Sequence, residues 1–129
     1  MRILIADDNA GVRAGIADLI SSRPEWEVCG EAQDGPEAIE KTSALAPDLI
    51  LLDISMPGMN GLDAARLIRK ATNAKILVMS QHDPLVLAPR AQQVGAQGCL
   101  DKSNLSSELI PAIEALFRNS PSSETPVAS

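Results

Sequence analysis

The 129-residue chain is 45% hydrophobic and 22% charged, with a formal net charge of −6 at pH 7. These values fit one globular domain that buries its own core, without disulfide or metal staples. They argue against direct nucleic-acid binding, which calls for a basic face to neutralise phosphates, and no stretch approaches the ~18 apolar residues of a membrane span.

Short apolar runs alternate with helical patterns from the first residues on. Met1-Arg2 leads straight into a buried strand, Ile3-Leu4-Ile5-Ala6, with no signal peptide between them. A cytoplasmic protein with reduced thiols at Cys29 and Cys99 is expected. Val12, Ile16, Leu19 and Ile20 share one helix face. Trp26 to Ala32 reads as a more polar second strand. Asp34 and Pro36 open a second helix as cap and first-turn proline, with Ala38, Ile39, Thr42 and Leu45 turned inward. Pro47 ends it.

Leu49 to Leu52 is the third strand. Leu62, Ala65 and Ile68 mark a third helix after Asn60-Gly61. Ile76 to Met79 is the fourth strand, and Gly98-Cys99-Leu100 a short fifth. Between them, residues 83–94 have a helical pattern interrupted by Pro89, which would lose a hydrogen bond and clash at roughly 3 kcal/mol. The helix is therefore expected to start late, near Pro89, or to kink there, leaving Leu85-Val86-Leu87 irregular and partly exposed. Leu109, Ile113, Leu116 and Phe117 form the face of a last helix, in which Pro111 is tolerated if it falls near the first turn. Residues 119–129 have the composition of a tail or linker.

This βα alternation implies a parallel sheet with helices on both faces and ligands outside the carboxyl ends of the strands. At those ends stand Asp7-Asp8, Asp53, Ser80 and, after the fifth strand, Lys102. A single acid after a strand is usually a helix cap. Three acids at one edge are harder to explain so. At about 4 Å each like-charge pair costs roughly 1 kcal/mol in water and about 4 near a protein surface. A divalent cation would offset that, and all-oxygen ligands favour Mg²⁺ or Ca²⁺ over zinc. A carboxylate can also attack phosphorus, given a metal and a cation for the phosphoryl oxygens. Asp53 is the candidate nucleophile, Asp7 and Asp8 the metal ligands, and Lys102 and Ser80 the groups that take phosphoryl oxygens.

The motifs "ADD" at 6–8, "LLDISMPGMNG" at 51–61, "VMS" at 78–80 and "LDK" at 100–102 resemble the receiver domain of bacterial two-component response regulators. The segments "VCGEAQDGPEAIE" and "MPGMNGLDAARLIRK" look most like the NarL/FixJ (LuxR-type) subfamily. The resemblance covers residues 1–118 and implies a flavodoxin-like (βα)5 three-layer sandwich with strand order 2-1-3-4-5. It implies that Asp53 accepts a phosphoryl group from a sensor histidine kinase, a phosphotransfer protein or a small phosphodonor. Asp8, Asp53 and the backbone carbonyl of Ser55 would bind Mg²⁺ or Mn²⁺ directly, and Asp7 through water. Ser80 would move to hydrogen-bond the phosphoryl group and Lys102 would pair with it. Ser55 and His82 match the positions that tune phosphoryl lifetime. The chain would be a switch rather than an enzyme, with transcription controlled through an output domain or a homodimer.

One departure from the family is Cys99, three residues before the lysine, where receivers carry Tyr, Phe or His. A cysteine cannot swing a ring between solvent and core, so coupling to the face formed by helix four, strand five and helix five is expected to be altered. With strand order 2-1-3-4-5, Cys29 and Cys99 fall on opposite edge strands, roughly 19 Å apart, too far for a disulfide. Met56 and Met59 are expected to pack the turn.

Overall fold

The computed structural model of the chain describes residues 1–81 and 83–118. His82 and the expected tail at 119–129 lie outside the described residues. The elements are β1 (Arg2–Ala6), α1 (Ala10–Ile20), β2 (Glu27–Ala32), α2 (Gly35–Leu45), β3 (Leu49–Asp53), α3 (Gly61–Ala71), β4 (Lys75–Ser80), α4 (Pro84–Gln93), β5 (Gly98–Asp101) and α5 (Leu105–Arg118). A 3₁₀ turn, Lys102–Asn104, joins the last two.

All strand pairs are parallel, and the sheet order is β2-β1-β3-β4-β5. Alternate residues of each strand feed two separate cores. Leu4, Ala6, Ile50, Leu52, Ile76 and Val78 pack with Ala38, Ala65, Ile68 and Ala91 of α2, α3 and α4. Ile3, Ile5, Leu49, Leu51, Leu77 and Met79 pack with Ile16, Ile20, Leu109 and Ile113 of α1 and α5. The central strand is covered on both sides, which is why Leu49 to Leu52 reads as an unbroken apolar run. Burial of each such side chain is worth roughly 2 kcal/mol.

Side-chain caps fix where the helices start. Asn9, Asp34, Asn60 and Asp83 each accept a hydrogen bond from the first turn of α1, α2, α3 and α4 respectively, worth about 1 kcal/mol apiece. α2 ends at Ala46, whose φ of 48° is left-handed, just before Pro47. β5 runs one residue past the expected Leu100, to Asp101.

Helix four corrects the expectation of a late start near Pro89. It starts at Pro84, immediately after its Asp83 cap, and Pro89 lies inside it. Proline at the first position needs no N–H donor, so the cap and Pro84 nucleate the helix where the later proline could not. Pro89 is on the exposed side, and the carbonyl it leaves without a donor belongs to Leu85, a residue 83% exposed. Water can take that carbonyl, so the carbonyl is not left unsatisfied, while the clash of the proline ring with the preceding turn remains. The exposure expected of this segment is present at Leu85 and at Val86, which is 69% exposed. Pro111 likewise lies inside α5 rather than in its first turn, again on the solvent side.

Candidate functional site

The carboxyl ends of β1, β3, β4 and β5 bring the sequence candidates together at one edge. Asp53 is the last residue of β3 and 1% exposed. Its Oδ1 accepts a hydrogen bond from the Ser55 N–H at 3.1 Å, and its Oδ2 lies 3.3 Å from Lys102 Nζ. Asp7 follows β1 and is fully buried. Its Oδ1 accepts from the Asn9 N–H at 2.8 Å, its Oδ2 is 2.8 Å from Lys102 Nζ, and its own N–H donates to the Ala32 carbonyl at 3.0 Å. Asp8 is exposed. Oxygens of Asp7, Asp8 and Asp53, one from each, lie within 4.8 Å of one another. Ser80 ends β4, fully buried, one residue beyond the Met79 that registers with Asp53.

Electrostatics at this edge are unbalanced. Burial pushes the Asp53 carboxyl above its ordinary pKa; the Asp7 charge adds to this, against the Ser55 N–H and Lys102. For Lys102 burial opposes the charged form, but the hydrogen bond to Asp7 and the charges of Asp53 and Asp7 outweigh it and raise its pKa. Both Oδ2 atoms are buried and accept no hydrogen bond of good geometry; each faces the same ammonium. Among the described residues, Asp7 and Asp53 thus share the Lys102 ammonium, and Asp8 adds a third carboxylate within 4.8 Å. That shortage of positive charge, in an all-oxygen donor set, fits a hard divalent cation and does not fit zinc.

The segment after β3 is shaped by two glycines. Gly58 has φ of 82°, and Met56 is buried beside the turn while Met59 packs partly buried, as expected. At Gly61 a Cβ would lie 2.2 Å from the Asp53 carbonyl oxygen and 2.7 Å from Ile54 Cα. The Gly61 N–H donates to the Ile54 carbonyl at 2.9 Å. The start of α3 is thus pressed against the backbone that carries Asp53. Sequence reasoning took Asn60-Gly61 only as a helix lead-in; the "NG" dipeptide was visible, but the close approach was not.

Cys99 is half-buried in β5 and packs against the core shared with α2, α3 and α4. Burial raises its thiol pKa, with the Asp101 charge adding to this. Cys29 is also free, on β2 at the opposite edge of the sheet, as the expected strand order required. Sequence reasoning missed Arg13, whose Nη1 donates to the Asp7 carbonyl at 2.6 Å and whose Nε donates to Glu31 Oε1 at 2.8 Å.

Comparison with known proteins identifies the family and agrees with the fold. The response regulator receiver domain family model matches residues 3–114, so the chain belongs to that family. A protein-glutamate methylesterase/protein-glutamine glutaminase of Pyrococcus abyssi is 49% identical over 80 residues, 62% of this chain and 22% of that protein. The transcriptional regulatory protein LiaR of Bacillus subtilis is 35% identical over 129 residues, 99% of this chain and 61% of that protein. The crystal structure of a two-component response regulator of the LuxR family from Aurantimonas sp. SI85-9A1 superposes with a TM-score of 0.86 at 36% identity, covering 98% of this chain and 94% of that one. The chain thus spans less than two thirds of the length of either curated relative. Among the described residues no helix is long and apolar enough to cross a membrane.

Proposed function

We propose that residues 1–118 form a phosphoacceptor switch and that residues 119–129 are a tail or a linker to an output. An Asp53 carboxylate oxygen attacks the phosphorus of a donor, forming an acyl phosphate as the donor's bond to phosphorus breaks. The donor is a phosphohistidine of a sensor kinase or phosphotransfer protein, or a small phosphodonor. Asp8, Asp53 and the Ser55 carbonyl would hold Mg²⁺, or Mn²⁺ in its place, with Asp7 acting through water. When bound, the metal neutralises phosphoryl oxygens as charge builds on them. Lys102, paired with Asp7 and Asp53, would supply a second cation. Ser80, buried at the end of β4, takes a phosphoryl oxygen and carries the change toward α4, β5 and α5. His82 and Ser55 tune the lifetime of the product. The chain acts on no other substrate, and transcription is the output, consistent with the regulator LiaR.

The observation that supports this reading is the buried Asp53 carboxylate, with Asp7 and Asp8 oxygens within 4.8 Å and the Lys102 ammonium paired with both Asp7 and Asp53. Cys99 favours a second reading, in which the site is kept but phosphorylation drives an altered output or none, and the chain serves as an interaction module.

Beryllofluoride, a phosphoryl mimic, added with Mg²⁺ tests the proposal by amide NMR. Shifts are expected around Asp53, Ser80 and Lys102, and they vanish in Asp53→Asn. Absence of a Mg²⁺-dependent response in the wild type would leave the interaction module alone standing. Shifts that stop at β4 and spare α4 would favour the second reading.

A further inference from the structure

Asp7 is hydrogen-bonded at its N–H, its Oδ1 and its carbonyl oxygen and ion-paired at Oδ2, and one of those partners has no place in the chemistry above. Its N–H, Oδ1 and Oδ2 are taken by the Ala32 carbonyl, the Asn9 N–H and Lys102. Its carbonyl oxygen, part of the peptide that joins it to Asp8, is taken by Arg13 Nη1 at 2.6 Å. The Arg13 side chain is only 13% exposed, lying along α1 with its Nε on Glu31 Oε1 at 2.8 Å. Glu31 is anchored in turn, since its backbone carbonyl accepts from Lys41 of α2. A planar guanidinium that donates in two directions fixes both partners' orientation, which a flexible ammonium does not. The plane of the Asp7–Asp8 peptide sets the direction in which Asp8, the exposed member of the cluster, leaves the chain.

We infer that Arg13 is a positioning residue for the cation site: it fixes the Asp7–Asp8 peptide so that the Asp8 carboxylate faces the ion, and Glu31 fixes Arg13. The inference deepens the proposed function and rests on its reading of the pocket as a Mg²⁺ site. Charge and positioning act in opposite directions here. A cation beside a divalent-ion site repels the ion, so neutralising Arg13 tightens Mg²⁺ binding if charge is all that matters. Freeing the peptide scatters one ligand, and loss of such outer supports weakens metal affinity by about 10-fold or more.

The test is a Mg²⁺ titration at fixed ionic strength, followed by the Asp8 and Asp53 amide shifts, in wild type, Arg13→Met and Arg13→Lys. Arg13→Met is expected to bind Mg²⁺ about 10-fold more weakly. Equal or tighter binding by a folded Arg13→Met overturns the inference. If that variant loses its dispersed amide spectrum, Arg13→Lys decides. It keeps the charge but cannot span both acceptors, so weaker binding supports positioning and wild-type affinity overturns it. Failure of the wild type to respond to Mg²⁺ is a separate result: it removes the cation-site reading itself, and this inference with it.

Discussion

At Asp53, burial and the neighbouring Asp7 charge disfavour the ionised carboxylate, and the Ser55 N–H and Lys102 only partly offset them. A carboxyl whose folded pKa is raised is ionised at a cost in the native state, and that cost is present in full once the pH is above the raised value. Between the ordinary value of 3.8 and the raised value the native state binds more protons, so stability falls as pH rises through that window. Asp53→Asn removes the charge while Asp7 still holds Lys102 at 2.8 Å. The variant is expected to melt at a higher temperature than wild type at pH 7 without Mg²⁺. The gap should close as the pH falls through the window toward 3.8. Saturating Mg²⁺ stabilises the wild type by mass action, about 1.4 kcal/mol at ten times the dissociation constant, and stabilises the variant less. Calorimetry across pH checks both, and a wild type more stable than Asp53→Asn at pH 7 would show that the site stores no such strain. These residues were legible in the sequence because each follows a buried strand, and parallel crossovers bring strand ends to one edge. Arg13 and Gly61 were not. Arg13 acts through the partners α1 meets on β1 and β2, and Gly61 through a distance to a backbone eight residues earlier.

Among the elements, α4 departs furthest from what its sequence suggests. The helix runs through Pro89, with its N-terminal turn showing Leu85 and Val86 to solvent. An interior proline costs roughly 3 kcal/mol in a helix, but it also restricts the unfolded chain by about 1 kcal/mol. Pro89→Ala should therefore stabilise the domain by about 2 kcal/mol in urea unfolding, and slow hydrogen exchange in the α4 amides. Unchanged exchange there would mean that α4 is distorted for another reason. The misplaced start of this helix has a physical source. Sequence shows that a proline is present but not which face it occupies, and an exposed proline wastes a carbonyl that water can satisfy. The strands were legible because sheet burial on both faces writes itself as continuous apolar runs. The helix faces were legible at Ile16, Ala38, Ala65 and Ile113, all buried as the 3.6-residue spacing required. The strand order was not readable from spacing; it came with the family resemblance.

Across the whole molecule, the sheet separates stability from chemistry. Aliphatic layers on both faces cover β3, while its last residue, Asp53, stands at the edge that gathers Asp7, Asp8 and Lys102. The lone Trp26, packed under the Arg23 guanidinium at 5.5 Å, precedes β2 at the opposite end of the sheet. Its fluorescence is therefore a poor reporter of the site, and a covalent readout is more direct. The central claim, that Asp53 is a phosphoacceptor, is tested by incubating the chain with a small phosphodonor such as acetyl phosphate and following intact mass. The account predicts one added phosphoryl group that requires Mg²⁺, is stripped by hydroxylamine as an acyl phosphate, and is absent in Asp53→Asn. Modification that persists in Asp53→Asn, or a wild type that stays unmodified with Mg²⁺ present, would contradict it.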